Sequence, residues 1–359
     1  MRYSISITTF VGRALKAAAL AIGLCGMLAS EQVARGQDSF QEGGARPYFG
    51  RAVSPPEEQH ADTLAADSRR TLVPTVGMAG DTLVVSGEGN SGHKVYIIGV
   101  EGRPGAMTVH FDDWPMEIFF DVQHIAVEFA GGANFLALYQ VHVAGNVTIA
   151  AGDGDNELVL GRPLYDPNLI WGDLSIVVGH GDSRVLVEES WIMGNAAIEA
   201  GDGDNRVVLG RAESPSDLGA VVMGDLLVTT AGGYDRVEVA KCWLDGNVAI
   251  DTAAGDDIVI LGTHYEPASA VAGNVFAGAL DITTGEGADA VGLTDNKVYA
   301  DTVIELGDDD DALLLGVDLP VNDFYGAFTA RGDAGQDSLD NDPANYYDSP
   351  PHFHSFELP

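Results

Sequence analysis

The chain has 359 residues, and its 18 basic and 54 acidic side chains give a formal net charge of -36 at pH 7. This charge excludes nucleic acid and anionic membranes as expected partners and favours divalent cations. Acidity alone also keeps an exported protein soluble, so it does not require a bound cation. The only two cysteines are Cys25 and Cys242, which argues against a disulfide framework and leaves stability to packing.

Residues 1–36 have the pattern of a signal peptide. Three basic residues precede an apolar run over residues 17–28, and Ala34-Arg35-Gly36 supplies small residues for cleavage. The run is too short to span a bilayer, which leaves a short anchor or a buried helix as alternatives to a signal peptide. We therefore predict a secreted or cell-surface bacterial protein with no transmembrane span in the mature chain.

Two segments flank the central region and differ from it in composition. Residues 37–75 are polar, contain proline and lack any period, so they are predicted to be a disordered linker. Residues 341–359 have the same character and are predicted to be a flexible tail. The region between them, residues 76–340, is predicted to form one domain.

This domain is built on one motif, a Gly-Asp turn followed by alternating aliphatic residues, such as AGDGDNELVL at 151–160 and AGDGDNRVVL at 200–209. The motif occurs nine times, and the polar residues that close the turns are Asn134, Asn156, Ser183, Asn205, Asp235, Asp257, Asp289, Asp311 and Asp337. Their successive spacings are 22, 27, 22, 30, 22, 32, 22 and 26 residues. A repeat of this length is typical of a solenoid.

Each repeat contains three short apolar segments. Val147 with Ile149 and Leu158 with Leu160 alternate with period two, as in strands with one buried face, and a third apolar patch such as Trp191–Met193 follows. Frequent glycine and β-branched residues argue against helical repeats. The sequence therefore predicts an all-β fold, a parallel β-helix of about ten coils with three strands each, roughly 50 Å long at the usual strand spacing.

Coils of 22 residues alternate with longer coils, and the additional residues always follow the second strand. All these loops are therefore expected on one edge of the solenoid. Such a row of loops is a common place for function, and it is also a simple way to cover one sheet. The sequence alone does not distinguish these two roles.

The Gly-Asp turns resemble the calcium-binding nonapeptide repeats of RTX (hemolysin-type) toxins and secreted proteases, most clearly at 151–158, 200–207 and 332–339. In that family two nonapeptides run back to back in one coil, whereas here each coil has a single such turn. The resemblance implies Ca2+ as a cofactor. Since calcium takes six to eight oxygens, stacked turns would have to share each ion. The candidate ligands are Asp153, Asp155, Asp182, Asp202, Asp204, Asp235, Asp256, Asp257, Asp289, Asp308, Asp309, Asp311 and Asp337.

The same turn residues also have an explanation without metal. Asn and Asp tolerate left-handed backbone and hydrogen-bond to nearby main chain, so a stacked ladder of them suits tight turns. The ladder changes from Asn and Ser to Asp at Asp235. Carboxylates about 5 Å apart repel each other by roughly 3 kcal/mol at an effective dielectric constant of 20. Calcium is therefore expected in the C-terminal half, where it would neutralise these carboxylates.

Trp191 and Trp243 occupy the same place in the third strand, beside Ile192 and Leu244. If these aliphatic residues face the core, the two indoles face outward and could stack on sugar rings. Neighbouring loops could instead cover them.

We found no nucleophile with a base, no paired acids and no histidine-rich metal cluster in the sequence. β-Helix architecture is shared with polysaccharide lyases and hydrolases, which keeps that class open by analogy only. A lyase would need a basic residue such as Arg236 or Lys241, but Arg184, Arg206 and Arg236 share one repeat position and are expected to form an exposed ladder. The sequence thus favours a structural, adhesive or surface-binding module over the two alternatives, a carbohydrate-active enzyme and a carbohydrate-binding module.

Overall fold

The computed structural model describes residues 74–90, 92–111, 115–162, 166–210, 219–262, 273–316 and 321–357. The chain divides into two compact units, Met1–Asp67 and Ser68–Pro359, and every described residue belongs to the second. The predicted signal peptide at 1–36 lies outside the described residues, as does nearly all of the predicted linker at 37–75. The described residues are all-β and form a parallel β-solenoid with three sheets, as predicted.

Sheet A has twelve strands. They are β1 (Thr75–Ala79), β2 (Thr82–Gly87), β6 (His124–Gly131), β9 (Val147–Asp153), β12 (Leu174–Val178), β15 (Ala196–Ala200), β18 (Leu226–Thr229), β21 (Val248–Asp251), β24 (Leu280–Glu286), β27 (Thr302–Asp308), β30 (Phe328–Arg331) and β33 (His352–His354). From β2 onward each strand pairs in parallel with the next strand of this series, and β1 is antiparallel to β2.

Sheet B also has twelve strands. They are β3 (Lys94–Gly99), β4 (Met107–Phe111), β5 (Glu117–Phe119), β7 (Phe135–Tyr139), β10 (Glu157–Leu160), β13 (Arg184–Val187), β16 (Arg206–Gly210), β19 (Arg236–Ala240), β22 (Ile258–Gly262), β25 (Ala290–Thr294), β28 (Ala312–Leu315) and β31 (Ser338–Asn341). The strands β4 and β5 are antiparallel additions beyond β3, so the N-terminal edge of this sheet does not continue the parallel repeat.

Sheet C has nine shorter strands, all parallel. They are β8 (His142–Val143), β11 (Asn168–Ile170), β14 (Ser190–Ile192), β17 (Ala220–Val222), β20 (Cys242–Leu244), β23 (Val275–Phe276), β26 (Lys297–Val298), β29 (Asp323–Phe324) and β32 (Tyr346–Tyr347). Nine sets of three strands therefore follow one another from β6 to β32, slightly fewer than the predicted ten coils.

The parallel strands keep their register from one coil to the next, so equivalent side chains form columns along the solenoid. Val147, Leu174 and Ala196 are aligned in sheet A, for example, across coils whose lengths differ. The aliphatic member of each alternating pair points inward, and these residues form one continuous core. Burying one such Leu, Ile or Val side chain contributes about 1.5–3 kcal/mol, which explains why the period-two pattern fixes the fold.

The C-terminal segment differs from its prediction as a flexible tail. Tyr346–Tyr347 and His352–His354 are strands of the last turn, and Phe353 packs against Phe328 at a ring-centroid distance of 5.7 Å. This segment lacks the Gly-Asp motif, and its aromatic rings pack on the core beside Phe324 and Phe328. The additional residues of the long coils follow strands of sheet B in the sequence, as predicted. Most of them, 163–165, 211–218, 263–272 and 317–320, are outside the described residues.

Candidate functional site

The corner between sheets A and B contains the nine residues that close the Gly-Asp turns, and all nine are buried. Each uses a side-chain oxygen to accept a hydrogen bond from the backbone N–H of the equivalent residue one coil earlier. Asn134 N–H donates to Oδ1 of Asn156 at 3.3 Å, and Asn205 N–H donates to Oδ1 of Asp235 at 2.8 Å. The predicted stacking of corners is confirmed, and the column continues without interruption across the change from Asn to Asp.

The asparagines of this column also have a second role, because their amide N–H groups satisfy carbonyls of their own turn. Asn156 Nδ2 donates to the carbonyls of Gly154 at 2.7 Å and Gly152 at 2.9 Å. Asn205 makes the same pair of bonds to Gly203 and Gly201. Both side-chain atoms that can form hydrogen bonds are thus used in these coils.

The five aspartates of the column make the hydrogen bond between coils but lack the hydrogen bonds to their own turn. We call them the aspartate column, namely Asp235, Asp257, Asp289, Asp311 and Asp337. Their Oδ1 atoms accept the ladder hydrogen bond, but all five Oδ2 atoms are buried without a hydrogen-bond partner. Burial raises the pKa of Asp257 to about 6 and that of Asp311 to about 7, and it also raises the pKa of the other three.

The remaining candidate calcium ligands lie on the outer side of the same corner, where all of them are exposed. They are Asp153, Asp155, Asp182, Asp202, Asp204, Asp256, Asp308 and Asp309. Several of them accept hydrogen bonds from backbone N–H groups of the following coil, as Asp155 does from Asp182 and Asp204 from Tyr234. The inner and outer carboxyl groups therefore point to opposite sides of one turn.

This geometry bears on the predicted calcium sites. In the asparagine coils the amide nitrogen and the turn carbonyls are one hydrogen bond apart, and that space does not hold an ion with six to eight ligands. Among the described residues, no three His, Cys, Asp or Glu side chains form a group that could hold a metal ion. The turn geometry argues against a calcium ion between the inner carboxyl groups and the turn carbonyls, and calcium binding by the protein stays a prediction.

The arginine ladder lies on the outer face of sheet B. Arg184, Arg206 and Arg236 are aligned in register as predicted, but their partners are glutamates. Arg206 and Arg236 both contact Glu238, at 2.8 and 2.6 Å. Burial opposes ionisation of Glu238, but the two arginines outweigh it and lower the pKa of that carboxyl group. Lys241 is buried, so neither basic residue named for a lyase stands free above an open surface.

The outer face of sheet C carries most of the tryptophans. Trp191 is aligned with Val221, and Val221 with Trp243, so the two indoles lie two coils apart in one column. Their neighbours Ile192 and Leu244 are buried, and Trp243 is 41 % exposed while Trp191 is partly exposed. The prediction that these indoles face outward is confirmed.

Sequence reasoning missed several aromatic residues on the same face. Trp171, Tyr299 and Tyr325 are exposed in a second column one residue after the strands, and Tyr346 is exposed in the first column. Tyr299 and Tyr325 are stacked with ring centroids 4.9 Å apart. These residues occupy equivalent positions of the repeat, but the variable coil lengths made this equivalence hard to recognise in the sequence. We call this surface the aromatic face, comprising Trp171, Trp191, Trp243, Tyr299, Tyr325 and Tyr346.

Within the described ranges, no helix has the length and apolar character needed to cross a membrane. Comparisons with protein-family models, with curated proteins and with solved structures give no match to this chain.

Proposed function

We propose that this protein is an exported, non-catalytic surface-binding β-solenoid whose aromatic face binds neutral polysaccharide chains. The observation that carries the proposal is the alignment of exposed aromatic rings on one face of sheet C. Neighbouring coils are about 4.8 Å apart, so Trp191 and Trp243 are separated by roughly 9.6 Å along the solenoid. A sugar polymer lying along this direction meets several flat, apolar rings with polar edges.

The charge of the protein narrows the class of ligand. A net charge of -36 repels anionic polysaccharides, whereas it leaves the binding of neutral ones to stacking and hydrogen bonds. The three arginines of the ladder lie on sheet B and form ion pairs with Glu157 and Glu238. These observations support a binding role rather than a lyase reaction, and the predicted signal peptide supports export.

The proposal is tested with the secreted protein, whose first residue is expected to be Gln37 by mass measurement. Binding to insoluble neutral glucans, mannans and chitin is measured by depletion from solution. Trp191→Ala combined with Trp243→Ala is expected to weaken binding at least about 10-fold, since each aromatic stacking contact contributes on the order of 1 kcal/mol.

Tyr234→Ala is the matched control, because Tyr234 is 47 % exposed at the corner between sheets A and B, away from the aromatic face. This variant is expected to bind like the unaltered protein. Absence of binding to all neutral polymers, or equal binding by the double tryptophan variant, contradicts the proposal. Release of soluble sugar by the unaltered protein would instead favour the enzyme alternative.

A further inference from the structure

The aspartate column contains five buried carboxyl oxygens that lack a hydrogen-bond partner. Its five side chains are between 0 % and 2 % exposed, and none of the five Oδ2 atoms has a hydrogen-bond partner. A buried polar atom without a partner is costly, and a buried negative charge without one costs more. Because the same oxygen lacks a partner in five successive coils, we infer that a positively charged group or a hydrogen-bond donor binds at this position.

The asparagine coils show what this partner must do. At the position of Oδ2, Asn156 and Asn205 place an amide nitrogen, which donates to the carbonyl two residues earlier at 2.7 and 2.9 Å. The glycine at that earlier position has φ +131 in the Asn205 coil and φ +139 and +141 in the Asp235 and Asp257 coils. The turn is therefore the same in the Asp235 and Asp257 coils, whereas the Asp311 coil has Asp309 with φ +89 at this place. An aspartate in this turn puts an oxygen where asparagine puts its N–H group.

The side chains around the column do not supply the missing donor. The hydroxyls of Thr230, Thr252 and Thr284 lie close to the carboxyl groups of Asp235, Asp257 and Asp289, and the Asn205 side chain also interacts with Asp235 while its Nδ2 donates to Gly201 and Gly203. The Oδ2 atom of Asp235 is still without a partner. Each of these hydroxyls donates to a backbone carbonyl of the next coil, namely those of Thr252, Thr284 and Leu306. Their protons are thus already in use.

The charged groups that act on the column are acidic. Exposed carboxylates lie along the outer side of the same corner, and Glu357 lies at the C-terminal end of the column, where its Oε2 accepts the backbone N–H of Asp337 at 2.6 Å. Asp235 has Asp204 as its acidic neighbour, and Asp257 has Asp235 and Asp289. Asp289 is next to Asp256 and Asp309, and Asp311 is next to Asp289, Asp309 and Asp337. The neighbours of Asp337 are Asp310, Asp333 and Glu357. All of these charges oppose ionisation of the column.

We propose that the aspartate column is a row of proton-binding sites, in which each carboxyl group is neutral in mildly acidic solution and its Oδ2–H replaces the amide N–H of asparagine. A protonated carboxyl group offers one O–H donor and keeps Oδ1 as an acceptor, which matches both positions of the pattern. The C-terminal half of the solenoid is then stabilised by acid, and the N-terminal asparagine coils are not.

The direction of the pH dependence follows from the raised pKa values. Asp257 and Asp311 have pKa values of about 6 and about 7 in the folded chain, against the ordinary 3.8. The folded state therefore binds more protons than the unfolded state between these values. This contribution to stability is fully present below pH 4 and is lost as the pH rises through about 6 to 7.

The test compares urea unfolding of the mature protein at pH 5 and pH 8. The unaltered protein is expected to have a lower urea midpoint at pH 8. Asp257→Asn combined with Asp311→Asn restores an N–H donor, so it should raise the midpoint at pH 8 and reduce the drop between the two pH values. The control pair is Asp153→Asn with Asp155→Asn, which alters exposed carboxyl groups beside the asparagine coils and should keep the full drop.

A second measurement does not depend on any variant. The infrared spectrum of the folded protein at pH 5.5 should contain the C=O stretch of a protonated carboxyl group, and unfolding in urea at the same pH should remove most of it. Absence of this band, or an unchanged pH dependence in Asp257→Asn with Asp311→Asn, overturns the proposal. So does a rise in midpoint on adding CaCl2 at pH 8 that this double variant abolishes, since calcium would then be the positive partner.

Discussion

Asn156 shows how much of the corner depends on one side chain. Its Oδ1 accepts from both the backbone and the amide of Asn134, and its Nδ2 donates to two carbonyls of its own turn. Asn156→Ala leaves these buried groups unsatisfied, and we expect the free energy of unfolding to fall by about 2–3 kcal/mol. Urea denaturation measures this loss.

The matched variant for this measurement is Asn146→Ala. Asn146 also accepts a backbone N–H from the next coil, that of Asp173 at 3.0 Å, but it is exposed at the corner between sheets C and A. Water can replace its side chain there, so the loss should stay below about 1 kcal/mol. Equal losses in the two variants would contradict the role assigned to burial.

At this scale the sequence predicts which residues share a column but not which way each one points. Asp256 and Asp257 are adjacent and both acidic, yet the first is exposed and the second is buried. Both types of position favour Asp or Asn for turn geometry, so composition does not separate them. The predicted calcium ligands included both exposed and buried aspartates. Only the backbone of the turn shows that these two groups point to opposite sides.

The three strands of each coil depend on tight corners, and glycine has a specific role there. Gly255 has φ +141, and a Cβ at this position would lie 1.6 Å from the carbonyl oxygen of Gly233 in the previous coil. We expect Gly255→Ala to lower the free energy of unfolding by at least about 2 kcal/mol, because it strains the turn and separates neighbouring coils.

Gly292→Ala is the control at the level of the strand. A Cβ at Gly292 would meet no atom within 4 Å, so this variant should change stability by no more than about 0.5 kcal/mol. Thermal and urea unfolding of both variants give the comparison. A mild effect at Gly255 would show that the corners can open without loss of stacking.

Period-two alternation was sufficient to predict the strands, because their inward residues are the core. Ile149, Leu158 and Leu160 are all fully buried, as their spacing indicated. The last strands could not be predicted in this way. Tyr346–Tyr347 and His352–His354 have no aliphatic alternation, and only their packing on Phe324 and Phe328 identifies them as part of the solenoid.

The solenoid as a whole needs both of its ends covered. Removing residues 342–359 would expose Phe324 and Phe328, which are fully buried, and would delete β32 and β33. We expect the melting temperature to fall by at least about 5 °C, since two large aromatic side chains lose their cover. Differential scanning calorimetry measures this change.

Tyr346→Ala serves as the control for the truncation. Its side chain is 45 % exposed on the aromatic face, whereas Tyr347 packs against the core. The melting temperature of this variant should remain within about 2 °C of the unaltered protein. A truncated chain that melts at the original temperature would support the flexible tail that the sequence suggested.

The hydrogen bonds of the buried corner have a direction, and this has a consequence for a chain made from its N-terminus. The backbone N–H of each corner residue is satisfied only by a side chain that lies one coil later in the sequence, from Asn134 and Asn156 through to Asp337 and Glu357. A partly synthesised chain therefore always ends in a coil whose corner still lacks its acceptor. Glu357, outside the repeat, then supplies the acceptor for Asp337 and completes the series.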